Sequence, residues 1–162
     1  MSENSSLPAI NQRTLVLMLL AGSFATVVFD LWGQAISPMF GFSRLSPDGL
    51  ARSLLGTFGL PNAREHGQFL HLLPVGLIAY PIGWMFIFKP LWDKVLGVKG
   101  GWFIPSAIYG AGLWLFAIGG ITAIAGLPLF LNFTGIAWVA LVGHTIYGIA
   151  LVWALRQIEG TT

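Results

Sequence analysis

Cysteine is absent from the 162 residues, which excludes disulfides, thiolate metal sites, iron–sulfur clusters and thiol catalysis. Charge is also scarce. Asp, Glu, Lys and Arg make up 9% of the chain, whereas a soluble domain carries about 25%. With 56% hydrophobic residues and a mean hydropathy of +0.79, a water-soluble version would expose large apolar patches and aggregate. The usual catalytic signatures are missing as well: no His-Glu-x-x-His, no nucleophile elbow and no phosphate loop.

The formal charge of +2 does not point to nucleic acid. The eight basic residues are scattered over loops and ends, where they act as ordinary orientation signals beside apolar spans. The first 13 residues are polar with one basic residue, Arg13. The apolar run after them exceeds the ~7–15 residues of a secretory h-region. It therefore reads as a retained first helix.

What the chain has in quantity is apolar sequence. Four stretches, at 14–37, 67–89, 101–127 and 134–156, are each long enough to cross a bilayer, because a ~30 Å hydrocarbon core needs ~20 helical residues. The expected fold is all-α: one integral-membrane domain of four transmembrane helices. Turn chemistry punctuates it. Ser37-Pro38, Lys89-Pro90 and Leu127-Pro128 are expected to end the first three spans. Gly100-Gly101 precedes the third, and Asn132 to Gly135 turns into the fourth. The Asn132-Phe133-Thr134 glycosylation pattern is discounted because it lies tight against two helices.

The longest connection, 38–66, contains a helix start at Ser46-Pro47-Asp48, with Leu50, Leu54, Leu55 and Phe58 on one face and Arg52 and Ser53 elsewhere. Gly59 and Pro61 stop it. This is expected to be a short amphipathic helix at the membrane interface, the alternative being a compact loop packing the same leucines on the bundle. Orientation follows from Lys and Arg. Arg13, Lys89, Lys94, Lys99 and Arg156 lie on one side, and Arg44, Arg52 and Arg64 on the other. The richer side, with both termini, is expected in the cytoplasm. Trp32, Trp92, Trp102 and Trp153 are expected near the interfaces, and Trp84, Trp114 and Trp138 deeper, as packing.

Asp30 is the sharpest polar signal. A carboxylate on lipid costs ~3 kcal/mol or more, so it should face the bundle interior and have a partner. Gln34 lies one turn on, and Thr26 one turn before. His144 shares a helix face with Ala140 and Gly148, where small residues permit close approach of a neighbour, and Tyr147 lies beside it. His71 is near the start of the second span, with Gln68 before it and Glu65 and His66 at the outer end. At ~1.5 Å per residue, Asp30, His71 and His144 all fall in the outer half of the membrane, at depths of ~10, ~6 and ~15 Å.

Interhelical hydrogen bonding that fixes packing is the leading use of this set. A proton- or cation-handling site is the second. Two histidines on different helices also admit a haem b, although their depths differ by ~9 Å. No metal or other cofactor is expected. The prolines and glycines of the second and third spans serve either tight packing and mild kinks or the discontinuous helices of transporters.

The stretch Ala21-Gly22-Ser23-Phe24-Ala25-Thr26-Val27-Val28-Phe29-Asp30-Leu31-Trp32 resembles the first helix of a bacterial family of small four-helix inner-membrane proteins of unknown function. Gly143-His144-Thr145-Ile146-Tyr147-Gly148 is similar to the end of that family's last helix, and Arg52 to Leu60 matches more loosely. The lysine-rich second loop has no counterpart. The resemblance implies a four-helix fold, the inner membrane, and Asp30 and His144 as notable positions, and it carries no activity. The expected role is a non-enzymatic accessory or structural subunit that meets lipid and packs against other membrane proteins or itself. The alternatives are a small oligomeric transporter using Asp30 and His144, or a haem- or quinone-associated redox subunit.

Overall fold

The computed structural model describes residues 8–96 and 101–160. Lys99 and Gly100 lie outside the described residues. Four helices are long and apolar enough to cross a membrane: α1 (Gln12–Met39), α3 (Arg64–Leu96), α4 (Phe103–Ile124) and α5 (Gly135–Gly160). A shorter α2 (Pro47–Thr57) lies between the first two. There is no strand among the described residues.

The helix α5 is the axis of the bundle, packed along α4 on one side and α1 on another. Buried residues fill 56% of its most apolar window, against 22% for α3, so α3 is the peripheral member. Small residues set how close the helices come. A Cβ on Gly148 would run into the Ser106 carbonyl and the Gly110 backbone, and one on Gly110 into the His144 carbonyl. On the other flank, a Cβ on Gly22 would lie 2.9 Å from the Leu77 Cα and 3.0 Å from the Gly76 carbonyl oxygen. Indole donors tie the remaining surfaces: Trp32 Nε1 donates to the Val139 carbonyl at 3.0 Å and Trp114 Nε1 to that of Ala137 at 2.8 Å.

Proline does not end the spans where the sequence suggests. The second continues through Lys89-Pro90 to Leu96, with Lys89 and Asp93 paired at 2.5 Å. Its path explains why. Stretches of α3 at His71–Ala79 and Gly83–Phe88 are π-helical, as are Leu31–Ile36 in α1 and Leu115–Ile121 in α4. A proline in an α-helix collides with the carbonyl four residues back and cannot donate to it. A π turn moves the bond to five residues and widens the spiral, which lets Pro38, Pro74, Pro81 and Pro90 sit in or beside continuous helix.

Glycine is what stops α1 and α4. Gly41 (φ +79°) and Gly126 (φ +70°) take the left-handed conformation. Behind Gly41, the Phe42 and Gly41 amides bond the Ser37 and Pro38 carbonyls; behind Gly126, the Leu127 and Gly126 amides bond those of Thr122 and Ala123. This double closure satisfies the last carbonyls, so the third span ends at Ile124, before Leu127-Pro128. Gly59 closes α2 the same way, in keeping with the sequence.

The α2 helix forms, and it packs against the start of α3 and the end of α4. Arg52 lies over Gly67 and its Nε donates to the Asn62 carbonyl at 2.9 Å. Two details differ from the sequence pattern. Ser53 faces the bundle with Leu50 and Leu54, its hydroxyl spent on the Gly49 carbonyl at 3.1 Å, while Phe58 falls beyond the last turn and is exposed. Trp84 and Trp114 are core residues, but Trp138 is half-exposed in the first turn of α5, its indole bonded to the Phe133 carbonyl at 3.1 Å. It is held there because α5 starts at Gly135.

The glycine contacts separate by substitution. Gly148→Ala drives a methyl into rigid backbone and is expected to cost about 1–3 kcal/mol. Gly112→Ala, with nothing within 4 Å of its added Cβ, is expected to be neutral or stabilising. Thermal unfolding of both variants in the same lipid nanodisc checks the pair.

Candidate functional site

The widened turns of α1 and α3 begin at the polar residues. Asp30 immediately precedes one and His71 opens another. The Asp30 carboxylate accepts from His71 Nε2 at 3.1 Å and from Gln34 Nε2 at 3.0 Å, both on Oδ1. The Asp30 and His71 side chains are 24% and 15% exposed, so the carboxylate points into the α1–α3 contact and not fully onto the outer surface of the bundle. Thus Asp30, Gln34 and His71 form one hydrogen-bonded group across two helices.

His144 is placed separately. It is 5% exposed on α5, and its Nδ1 lies 2.8 Å from the Ala140 carbonyl one turn back. A carbonyl can only accept, so Nδ1 carries the proton and Nε2 holds a lone pair. Phe29 links the two groups. Its ring centroid is 5.9 Å from that of His71 and 5.0 Å, edge-on, from that of His144. The structure therefore brings Asp30, His71 and His144 into one neighbourhood, with an aromatic ring against both histidines and no direct bond between them.

Tyr147 answers a different need. In the π register of α3 the Gly76 carbonyl faces position 81, which is proline and has no N–H. Tyr147 reaches across from α5 and donates its hydroxyl to that carbonyl at 2.5 Å. Thr26 on α1 packs on the same glycine, its own hydroxyl bonded to the Gly22 carbonyl at 2.8 Å. Three helices meet at Gly76, where a side chain has no room.

These residues surround a cavity of about 600 Å³ between α1, α3, α4 and α5. Its polar side chains are His71, His144, Tyr80, Tyr147 and Thr26, with Ser46 and Ser53 at the α2 end, whose hydroxyls are bonded to Asp48 and the Gly49 carbonyl; most of the remaining wall is apolar, including Phe29, Ala117 and Ile118. Leu50 and Leu54 of α2 line one end of it, together with Leu131 from the α4–α5 connection. Asp30 and Gln34 stand behind His71 and do not line it.

That connection is strained. Phe130 to Phe133 hold φ between 49° and 54°, a left-handed turn in four successive non-glycine residues, at a cost of ~1–2 kcal/mol each. Aromatic packing opposes the strain: Phe130 is 5.0 Å from both Trp114 and Phe133, and its ring seats on Gly119.

Tyr80 and Phe29 were not evident as site residues from sequence. One signal was available for Tyr80. The chain has three tyrosines, and all lie within spans, whereas tyrosine in membrane proteins favours the interface. All three meet here: Tyr80 packs edge-on against Tyr147 at 5.4 Å, and the Tyr109 hydroxyl donates to the Tyr80 carbonyl. Gln68, Glu65 and His66 stay outside this group. Among the described residues no three His, Asp or Glu side chains come together in a way that would hold a metal ion.

No family model, no curated protein and no solved structure matches this chain. The site is accordingly read from its own chemistry.

A double-mutant cycle measures what the polar contact contributes. Asp30→Asn and His71→Gln are each expected to lower unfolding stability in nanodiscs, with a coupling energy of about 0.6–1.7 kcal/mol. A coupling indistinguishable from zero would show that the contact does not hold α1 to α3.

Proposed function

We propose that this is a non-enzymatic multi-pass protein of the bacterial inner membrane that binds a mostly apolar small molecule between its spans. The observation that carries this reading is the cavity. Its ~600 Å³ is ligand-sized, and an apolar wall with a few convergent polar groups is the usual character of a small-molecule site. Phe29 against both histidines supports an apolar occupant over a proton path, because it places a ring where a relay would need a donor. The same contact disfavours a haem held between those imidazoles. Asp30 and His71 then act as the interhelical bond that holds one wall in place. An accessory role fits within this reading: such a bundle would serve another membrane protein by holding or presenting its ligand. The resemblance of the first and last helices to small inner-membrane proteins agrees with this location.

Filling the void tests the reading. Organic extracts of the purified chain are expected to contain near-stoichiometric amounts of one apolar molecule, and extracts of Ala117→Trp to lack it. Identical extracts from both proteins would refute a ligand in this cavity.

The positive-inside distribution supports cytoplasmic termini. In intact cells a membrane-impermeant maleimide is expected to label Asn132→Cys and to spare Lys94→Cys. The reverse pattern would invert the topology.

A further inference from the structure

We propose that the cavity selects a ligand whose apolar body carries a hydroxyl on an aromatic ring, a lipid-soluble phenol. The inference rests on the binding role proposed above and follows from which hydrogen-bonding capacity in the wall is already used. The Thr26 and Tyr147 hydroxyls are committed to the Gly22 and Gly76 carbonyls. His71 Nε2 is committed to Asp30. His144 has only its Nδ1 engaged, by its own helix, so its Nε2 edge is turned away from α5. Tyr80 makes ring contacts with Tyr147 and His144, while its hydroxyl has no bond to a described residue. Neither atom is a sealed, unsatisfied polar group: every fully buried side-chain nitrogen or oxygen among the described residues has a partner. Both residues line the cavity, and we assign it as the space these two atoms face.

The pair has a definite polarity. His144 Nε2 offers a lone pair and no proton, so it needs a donor. The Tyr80 hydroxyl donates or accepts. Their ring centroids are 6.3 Å apart, which puts the two side chains on one part of the wall, and there we place a single ligand hydroxyl that donates to the imidazole while accepting from the tyrosine. A ketone or ether oxygen takes only the Tyr80 bond and leaves Nε2 unsatisfied, and an unmade hydrogen bond in a dry site is costly. The walls beside the two atoms are the rings of Phe29, Tyr80 and Tyr147, which favour an aromatic ring over an alkyl chain through edge and offset stacking.

Two measurements on the full chain in nanodiscs test this. In competition against a diazirine-bearing alkylphenol whose crosslinks are mapped by mass spectrometry, 4-octylphenol is expected to compete at least tenfold better than 4-octylanisole, octylbenzene or 1-decanol. His144→Phe should abolish the phenol–anisole difference, whereas Tyr80→Phe should weaken both ligands and preserve it. Should His144→Phe not fold, ¹⁵N-histidine spectra of the unmutated chain decide. One unprotonated Nε2 resonance, assigned to His144, is expected to shift with 4-octylphenol and to stay fixed with octylbenzene.

Equal competition by phenol and anisole, or an unmoved Nε2 resonance, would overturn the hydroxyl selectivity and leave the cavity as an apolar site. Equal competition by 1-decanol would overturn the preference for a ring. Absence of any specific crosslink in the cavity would overturn the binding role itself.

Discussion

The hydrogen bond from Tyr147 to the Gly76 carbonyl is the contact on which this bundle turns. Within lipid no water is at hand to satisfy a freed backbone group, and each one left unpaired costs several kcal/mol. The prolines of α3 free such groups by design of the chain: Pro81 withholds the donor that the Gly76 carbonyl would take in the widened spiral. The protein meets that need from a neighbouring helix. The solution fixes the spacing of α5 and α3, requires glycine at 76, and draws Thr26 of α1 to the same point. A polar residue of α5 is thereby committed to structure, and the space beside it remains open.

That division of labour organises the site. The groups that hold helices together bond to one another or to backbone: Asp30 with His71 and Gln34, Tyr109 with the Tyr80 carbonyl, and Trp114 with Ala137. The polar lining groups with no bond to a described residue are few, and in the proposed site they differ in sign, one imidazole lone pair and one phenolic hydroxyl. Strain is concentrated beside one end of the cavity, where the left-handed turn from Phe130 to Phe133 is held by an aromatic stack. Strain of this kind persists where surrounding structure over-determines it, and it gathers at ligand clamps. Leu131 within the turn reaches the cavity wall, so the strained turn and the cavity share a side chain.

The spans were legible because hydrophobic length is a property of local sequence. Asp30 was legible as a residue needing a partner because a carboxylate in lipid is costly, and Gln34 because four-residue spacing puts it on the same face. Which helix would supply the other partner was not: His71 is 41 positions away, and only the crossing of α1 and α3 at Gly22 and Gly76 brings it within reach. The helix ends depart from the proline positions for a physical reason. Proline stops an α-helix, but a π turn absorbs it, and that widening depends on tertiary partners such as Tyr147 that sequence does not display. Tyr80 and Phe29 escaped notice because an aromatic residue inside a span looks like packing until its neighbours are known.

The interior of this bundle holds an open, mostly apolar chamber walled in part by Phe29, Tyr80, His144 and Tyr147. Xenon enters such chambers when they are roomy and dry. A structure of the chain determined in lipid under xenon pressure is the most direct test. Xenon density is expected against those four side chains, with the Tyr147 hydroxyl still on the Gly76 carbonyl. A bundle in which side chains close the space, or in which Tyr147 has left Gly76, would contradict that expectation.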